Sequence, residues 1–181
     1  ELVDVNFQAM SLMRLYRASD ALVKHRTDIE DHLFARLRTL FALEETVTVN
    51  ITADGYIEIG SATQAMGQGI ATSYVQLAVD VFGVPPGRVR ILQGDTDRYN
   101  GFGSAGSRSL FTGGTSLRIA AERTVDKGKE LAAEALEAPV ADIEYREGRF
   151  AVAGTDLGID LAALAAKQPE QRIFVDSTAK V

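Results

Sequence analysis

Cysteine is absent from the 181 residues, which removes disulfides, thiolate nucleophiles and thiolate-held iron–sulfur or zinc sites from this chain's chemistry. No apolar run approaches the roughly 18 residues of a membrane-spanning helix, and no basic, apolar leader opens the chain at Glu1. A chain without a membrane span, located in the cytoplasm, is the expectation. Because it starts on Glu1 rather than Met, it is expected to be a fragment or a processed piece. Basic charge is scarce too: the net charge is -6 and the pI is near 5.0. Without a Lys/Arg stripe to displace counterions, nucleic acid is excluded as a partner. Repeats of about 20 to 50 residues and low-complexity runs are also missing. What is present is 46% hydrophobic residues, enough for one substantial core or two small ones and far too much for disorder.

From about Ala9 to Leu43, Ala21, Leu22, Ile29, Leu33, Leu37, Leu40 and Phe41 recur at helical steps with no Gly or Pro between them. This predicts a helical arm or linker over residues 1–45, its main part capped by Ser19. His25 and His32 share a face of that arm, and with no third convergent ligand they read as an exposed or interfacial face rather than a zinc or relay site. The acidic pair Glu44-Glu45 and the run DIED read as solvated helix surface.

The pattern then changes. Thr46 to Gly60 alternates with a period of two around Asp54-Gly55, the signature of a hairpin. A helix follows from near Gly69, with Ile70, Tyr74, Leu77 and Val81 on one face and Gly83 as its stop before Pro85. GRVRILQGD reads as a buried strand, and Ser109 to about Ala138 as a long helix carrying Leu117, Ala120, Ala121, Leu131 and Ala135. DIEYREGRFAVAG reads as a hairpin turning at Glu147-Gly148, followed by a helix from Asp160 to Lys167. The mixture predicts an α+β fold over residues 46–181, a mainly antiparallel sheet with long helices packed on one face, preceded by the helical arm.

GFGSAGSRS contains the GxGxxG spacing of nicotinamide-binding proteins at Gly101, Gly103 and Gly106. Its context does not match: DTDRYN separates it from the strand, and Asp126, twenty positions beyond Gly106, falls in a helical pattern. A glycine loop that merely turns tightly suits the context better, yet a loop that long inside a compact domain asks for a function. SATQAMGQG shares its character, since it too joins a strand to a helix and offers small residues, glutamine amides and N–H groups at a helix N-terminus. GSRS adds the hydroxyls of Ser107 and Ser109 and the charged fork of Arg108. Taken singly, these residues read equally well as helix caps, a surface or ion-paired arginine, and polar loop surface. Together, the two loops suit a large ligand with phosphates and a hydrogen-bonding ring system, and should lie side by side at one end of the sheet.

The stretch from MGQG through GDTD to GSRS resembles, in order and spacing, the molybdenum-binding large subunit of the molybdenum hydroxylases, the family of xanthine dehydrogenase, aldehyde oxidase and aerobic carbon monoxide dehydrogenase. The resemblance runs from about Thr46 to Asp156 and implies part of a molybdopterin-binding domain. It implies that Met66, Gly67, Gln68 and Gly69 contact the pterin and its phosphates. It also implies that Gly106, Ser107, Arg108 and Ser109 wrap the pyrophosphate of molybdopterin cytosine dinucleotide, with Gly106 leaving room beside molybdenum for substrate. The implied partners are the remainder of the large subunit, iron–sulfur and FAD subunits or domains, and a small-molecule substrate: an aldehyde, purine or N-heterocycle hydroxylated with water. The family's catalytic glutamate segment and its upstream GGxFG loop have no counterpart here. No catalytic residue and no metal ligand is therefore expected from this chain, and no turnover by it alone. A cofactor-free structural or assembly module is the competing reading, and a nicotinamide-dependent oxidoreductase ranks last.

Overall fold

A computed structural model describes residues 44–95, 97–99 and 103–180. The helical arm, with His25 and His32, and Gly101 of the glycine motif lie outside the described residues. Strand β1 (Glu44–Thr52) turns back into β2 (Ile57–Ser61) with Val49 opposite Ile59, and Gly55 at φ 83 takes the left-handed position of the turn. Helix α1 (Ile70–Phe82) then carries the chain to β3 (Val89–Leu92), which pairs parallel with β2. One π-helical turn, Ser109–Gly113, opens helix α2 (Gly114–Leu136). Next come β4 (Ile143–Arg146), β5 (Arg149–Val152), β6 (Gly158–Asp160) and the short α3 (Leu161–Ala166). The last element is β7 (Arg172–Lys180).

The strands form two sheets, one in the order β3-β2-β1-β7 and one in the order β4-β5-β6. All their pairings are antiparallel except β2 with β3, as the α+β reading anticipates. Strand β7 and the short β6 are additions to the predicted element order. β7 matters most, because it pairs with β1 from Thr46 opposite Thr178 to Thr52 opposite Arg172. In the fold, buried Ile173 and Ser177 alternate with exposed Phe174, a period that the consecutive apolar Ile173-Phe174-Val175 hides in the sequence. Lys127 of α2 donates to the Phe174 carbonyl at 3.0 Å, fastening helix to strand.

The core lies between the larger sheet and its helices. Val47, Val49 and Ile51 of β1 and Ile57 and Ile59 of β2 all face it and are buried. On α1 the buried seam is Ile70, Tyr74, Ala78 and Phe82, with Leu77 and Val81 only half-buried at its flank. Four-residue steps keep small Ala78 against the sheet and leave the larger side chains beside it. The long helix predicted from Ser109 begins instead with a widened turn, a feature common at functional sites.

Glu147 at φ 50 and Gly148 at φ 82 form the predicted hairpin turn of the small sheet. In β4, the Tyr145 hydroxyl donates to the Phe82 carbonyl at 2.8 Å, closing the end of α1. Burial pushes this phenol up to about 12. The unfolded chain releases that proton near pH 10 while the folded domain still holds it, so stability falls as pH rises from about 10 to about 12. Denaturation midpoints measured across that window should decline, and Tyr145→Phe should flatten the decline.

Candidate functional site

Two loops leave the same end of the larger sheet. The first, residues 61–69, joins β2 to α1, and the second runs from β3 to the π-helical turn. Ser104 pins one to the other: its Oγ donates to the Gln64 carbonyl at 3.0 Å and accepts the Gln64 N–H at 2.8 Å. Ser109 Oγ donates to Ser104 Oγ at 2.9 Å. Ser104→Ala should loosen this junction with a cost of about 1 kcal/mol for each net hydrogen bond lost. Faster hydrogen exchange at the Gln64 amide is the expected readout, and an unchanged rate would show that the loops are held by other means.

Each glycine-rich segment opens onto free space. Gly67 at φ 90 and Gly106 at φ 57 adopt a left-handed backbone, yet a Cβ on either would meet nothing within 4 Å. Backbone conformation, not crowding from the protein, is what requires glycine there. Helix α1 starts behind Gly69 with no side-chain cap and no acidic residue in its first turn. Its first N–H groups and the positive end of its dipole are therefore uncompensated by side chains at the mouth of the loop. The π-helical turn likewise starts behind Arg108 with no side-chain cap.

Within the first loop, Gln68 spends its amide internally: Oε1 accepts the Met66 N–H, and Nε2 donates to the Gln64 carbonyl at 2.7 Å. Met66 itself is 66% exposed, and Leu110 and Phe111, which follow the second loop, are exposed as well. In the second loop Gly106 and Ser107 are exposed. Ser107 stands at φ 60, a left-handed conformation that costs a non-glycine residue about 1–3 kcal/mol and persists only where neighbours enforce it. This geometry is not that of a helix cap.

Glu45 corrects a sequence expectation, and Arg108 takes the ion-paired form. Glu45 is not solvated helix surface: it is the first inward-facing residue of β1, in line with Val47, Val49 and Ile51, and its side chain is only 1% exposed. The Arg108 guanidinium turns inward to meet it, Nη2 to Oε2 at 3.4 Å. Burial pushes the Glu45 carboxyl up, while Arg108, the N–H groups of Ala62 and Thr63 and the Ser61 hydroxyl oppose that shift. The period-two pattern already running through Val47 could have extended to Glu45 and placed it on the core face. Its acidic neighbour Glu44 concealed that register.

A second buried layer lies beside this pair. Tyr74 Oη donates to the Ser109 carbonyl at 2.8 Å and accepts from Thr63 Oγ1 at 3.1 Å. Thr63 Oγ1 in turn accepts from Gln93 Nε2 at 3.1 Å. Burial pushes the Tyr74 phenol above its ordinary value, so it stays a neutral donor at physiological pH. The loops therefore rest on a polar network that ties them to the sheet and to α1. Outward, their glycine-rich parts offer backbone, small side chains, the exposed Ser107, Met66, Gln64 and Gln68, and two helix starts, a surface that can hold an extended anion.

Residues 22–180 match the family described as molybdopterin cofactor-binding domain, and the chain belongs to it. More narrowly, it takes its place with the large subunits of the molybdenum hydroxylases. It is 36% identical over 125 residues to the 6-hydroxypseudooxynicotine dehydrogenase complex subunit gamma of Paenarthrobacter nicotinovorans, covering 68% of this chain and 16% of that one. It is 32% identical over 111 residues to the carbon monoxide dehydrogenase large chain of Afipia carboxidovorans, covering 61% of this chain and 14% of the relative. Among solved structures, quinoline 2-oxidoreductase from Pseudomonas putida 86 superposes with a TM-score of 0.64 at 31% identity, over 76% of this chain and 19% of that one. The chain thus spans about a sixth of the length of the curated relatives it matches. Those relatives are oxidoreductases, and this chain corresponds to part of one domain of such an enzyme. Among the described residues no helix is long and apolar enough to cross a membrane.

Proposed function

We propose that this chain forms one wall of the site that holds molybdopterin cytosine dinucleotide in a molybdenum hydroxylase large subunit. The observation that carries the reading is the pinning of the two glycine-rich loops to each other by Ser104, beside two helix starts without side-chain caps. These residues fit the group: phosphates need closely spaced N–H donors away from an opposing carboxylate, and Glu45, beneath the loops, is buried and paired with Arg108.

Gly67 and Gly69 present their backbone, and Met66 its exposed side chain, to the pterin and its phosphates, while Gln68 braces their loop from within by holding the Met66 N–H. Gly106 and Ser107 face the pyrophosphate and leave space beside the metal. Ser109 and Arg108 hold that stretch from behind, Arg108 through its inward ion pair. When bound, the molybdenum cofactor supplies the two-electron redox chemistry by which water hydroxylates an aldehyde, purine or N-heterocycle. This chain's residues bind and orient. Iron–sulfur and FAD partners, in the cytoplasm, take the electrons onward.

The full coding sequence, expressed with molybdate, tests this. Purified protein should carry molybdenum and release a cytidine nucleotide on denaturation. Ser107→Ala or Gln68→Ala should lower metal content about 10-fold or more, as loss of supporting groups does at other metal sites. Folded protein free of both metal and nucleotide would favour the cofactor-free assembly module instead.

A further inference from the structure

We propose that Glu45 is the positioning residue of the cofactor site, acting through Arg108. This inference rests on the reading that the two loops hold the cofactor. Three separate parts of the chain converge on Glu45. Its carboxylate meets the Arg108 guanidinium, the N–H groups of Ala62 and Thr63 at the start of the first loop face the same carboxylate, and its carbonyl accepts the Ser116 hydroxyl from the first turn of α2. One residue of the central strand therefore touches both loops and the helix that follows the second.

The second loop needs such a hold. Two consecutive left-handed residues, Gly106 and Ser107, precede Arg108, whose backbone N–H donates to the Ala105 carbonyl at 3.2 Å. A left-handed serine relaxes unless its neighbours are fixed. Arg108 is fixed because its side chain, 7% exposed, is drawn into the core by the Glu45 charge. With Arg108 held inward, Ser107 is left facing solvent, where a ligand's phosphates can reach it.

A buried ion pair is by itself weak ground for a stability role, because replacing both partners with apolar residues of similar volume is often neutral or stabilising, whereas removing one partner strands a charge. That asymmetry separates positioning from packing. In the full-length protein expressed with molybdate, Glu45→Leu and Arg108→Met should each lower both the melting temperature and the molybdenum content. The double variant should regain the melting temperature, yet keep a molybdenum content reduced about 10-fold or more. Full molybdenum content in the double variant would overturn the proposal.

Glu45→Gln keeps the volume and can still face the N–H groups of Ala62 and Thr63, so it answers the same question if the double variant does not fold. Molybdenum at the level of the unaltered protein in Glu45→Gln would also overturn the proposal. Should the unaltered protein itself carry no molybdenum, the cofactor reading fails. The positioning claim is then decided by hydrogen exchange across residues 104–109: faster exchange in Glu45→Gln supports it, and unchanged exchange overturns it.

Discussion

Gly113→Ala is expected to destabilise the domain by about 3 kcal/mol and to weaken the support beneath the two glycine-rich loops. Alanine is the better helix former by up to about 1 kcal/mol, and Gly113 sits at an ordinary right-handed φ of -66. Space decides against it: a Cβ there would lie 2.0 Å from Tyr74 Oη and 3.4 Å from Thr63 Cγ2. Tyr74 is fully buried and its hydroxyl is held between Thr63 and the Ser109 carbonyl. Moving the ring overpacks the core at about 1–3 kcal/mol, and stranding the hydroxyl costs about 1–3 more. Since a domain of this size loses about 2–4 °C per kcal/mol, the melting temperature should fall by about 6–12 °C. Adding Tyr74→Phe removes the clashing oxygen and should recover part of that loss, as strongly coupled neighbours do. A double variant no better than Gly113→Ala would place the clash elsewhere.

Phe150→Ala should cost about 3–5 kcal/mol, the range for deleting a buried aromatic. Phe150 is fully buried on β5 and packs on Tyr145 with ring centroids 4.7 Å apart and planes tilted by 46°. The ring fills a notch in α2: a Cβ on Gly128 would lie 2.3 Å from Phe150 Cζ. It is thus the side chain that fastens the small sheet to the long helix. Gly128→Ala closes the notch, and its overpacking cost of about 1–3 kcal/mol exceeds the helix-propensity gain of about 1. Equilibrium denaturation checks both variants. A loss below about 1 kcal/mol for Phe150→Ala would mean that the small sheet is fastened by other contacts.

How much was legible follows from where the information lies along the chain. Asp54-Gly55, Gly83 and Glu147-Gly148 mark their turns and the helix end because left-handed backbone is a property of one or two residues. The run from Ile70 to Phe82 announces a helix through its own spacing, although its exact seam, through Ala78 rather than Leu77, depends on what the sheet leaves room for. β7 escaped because a strand without an adjacent hairpin partner finds its pairing only in three dimensions, beside a strand more than a hundred residues earlier. Gly113 and Gly128 looked like ordinary helix positions because nothing near them in sequence shows Tyr74 or Phe150.

By itself the sequence determined the hairpins, the two main helices, the α+β class and, through MGQG, GDTD and GSRS in order, the two loops and the family they resemble. Each of these is encoded within a few consecutive residues, as turn chemistry, caps or periodicity. Only the tertiary structure decided which of the loop residues face outward and which serve as struts. Glu45 and Arg108 are 63 positions apart, and neither residue type announces burial. A charge becomes a structural tie only when folding removes the water around it and leaves one opposite charge within reach, and that depends on the strand register and loop path that bring the two together.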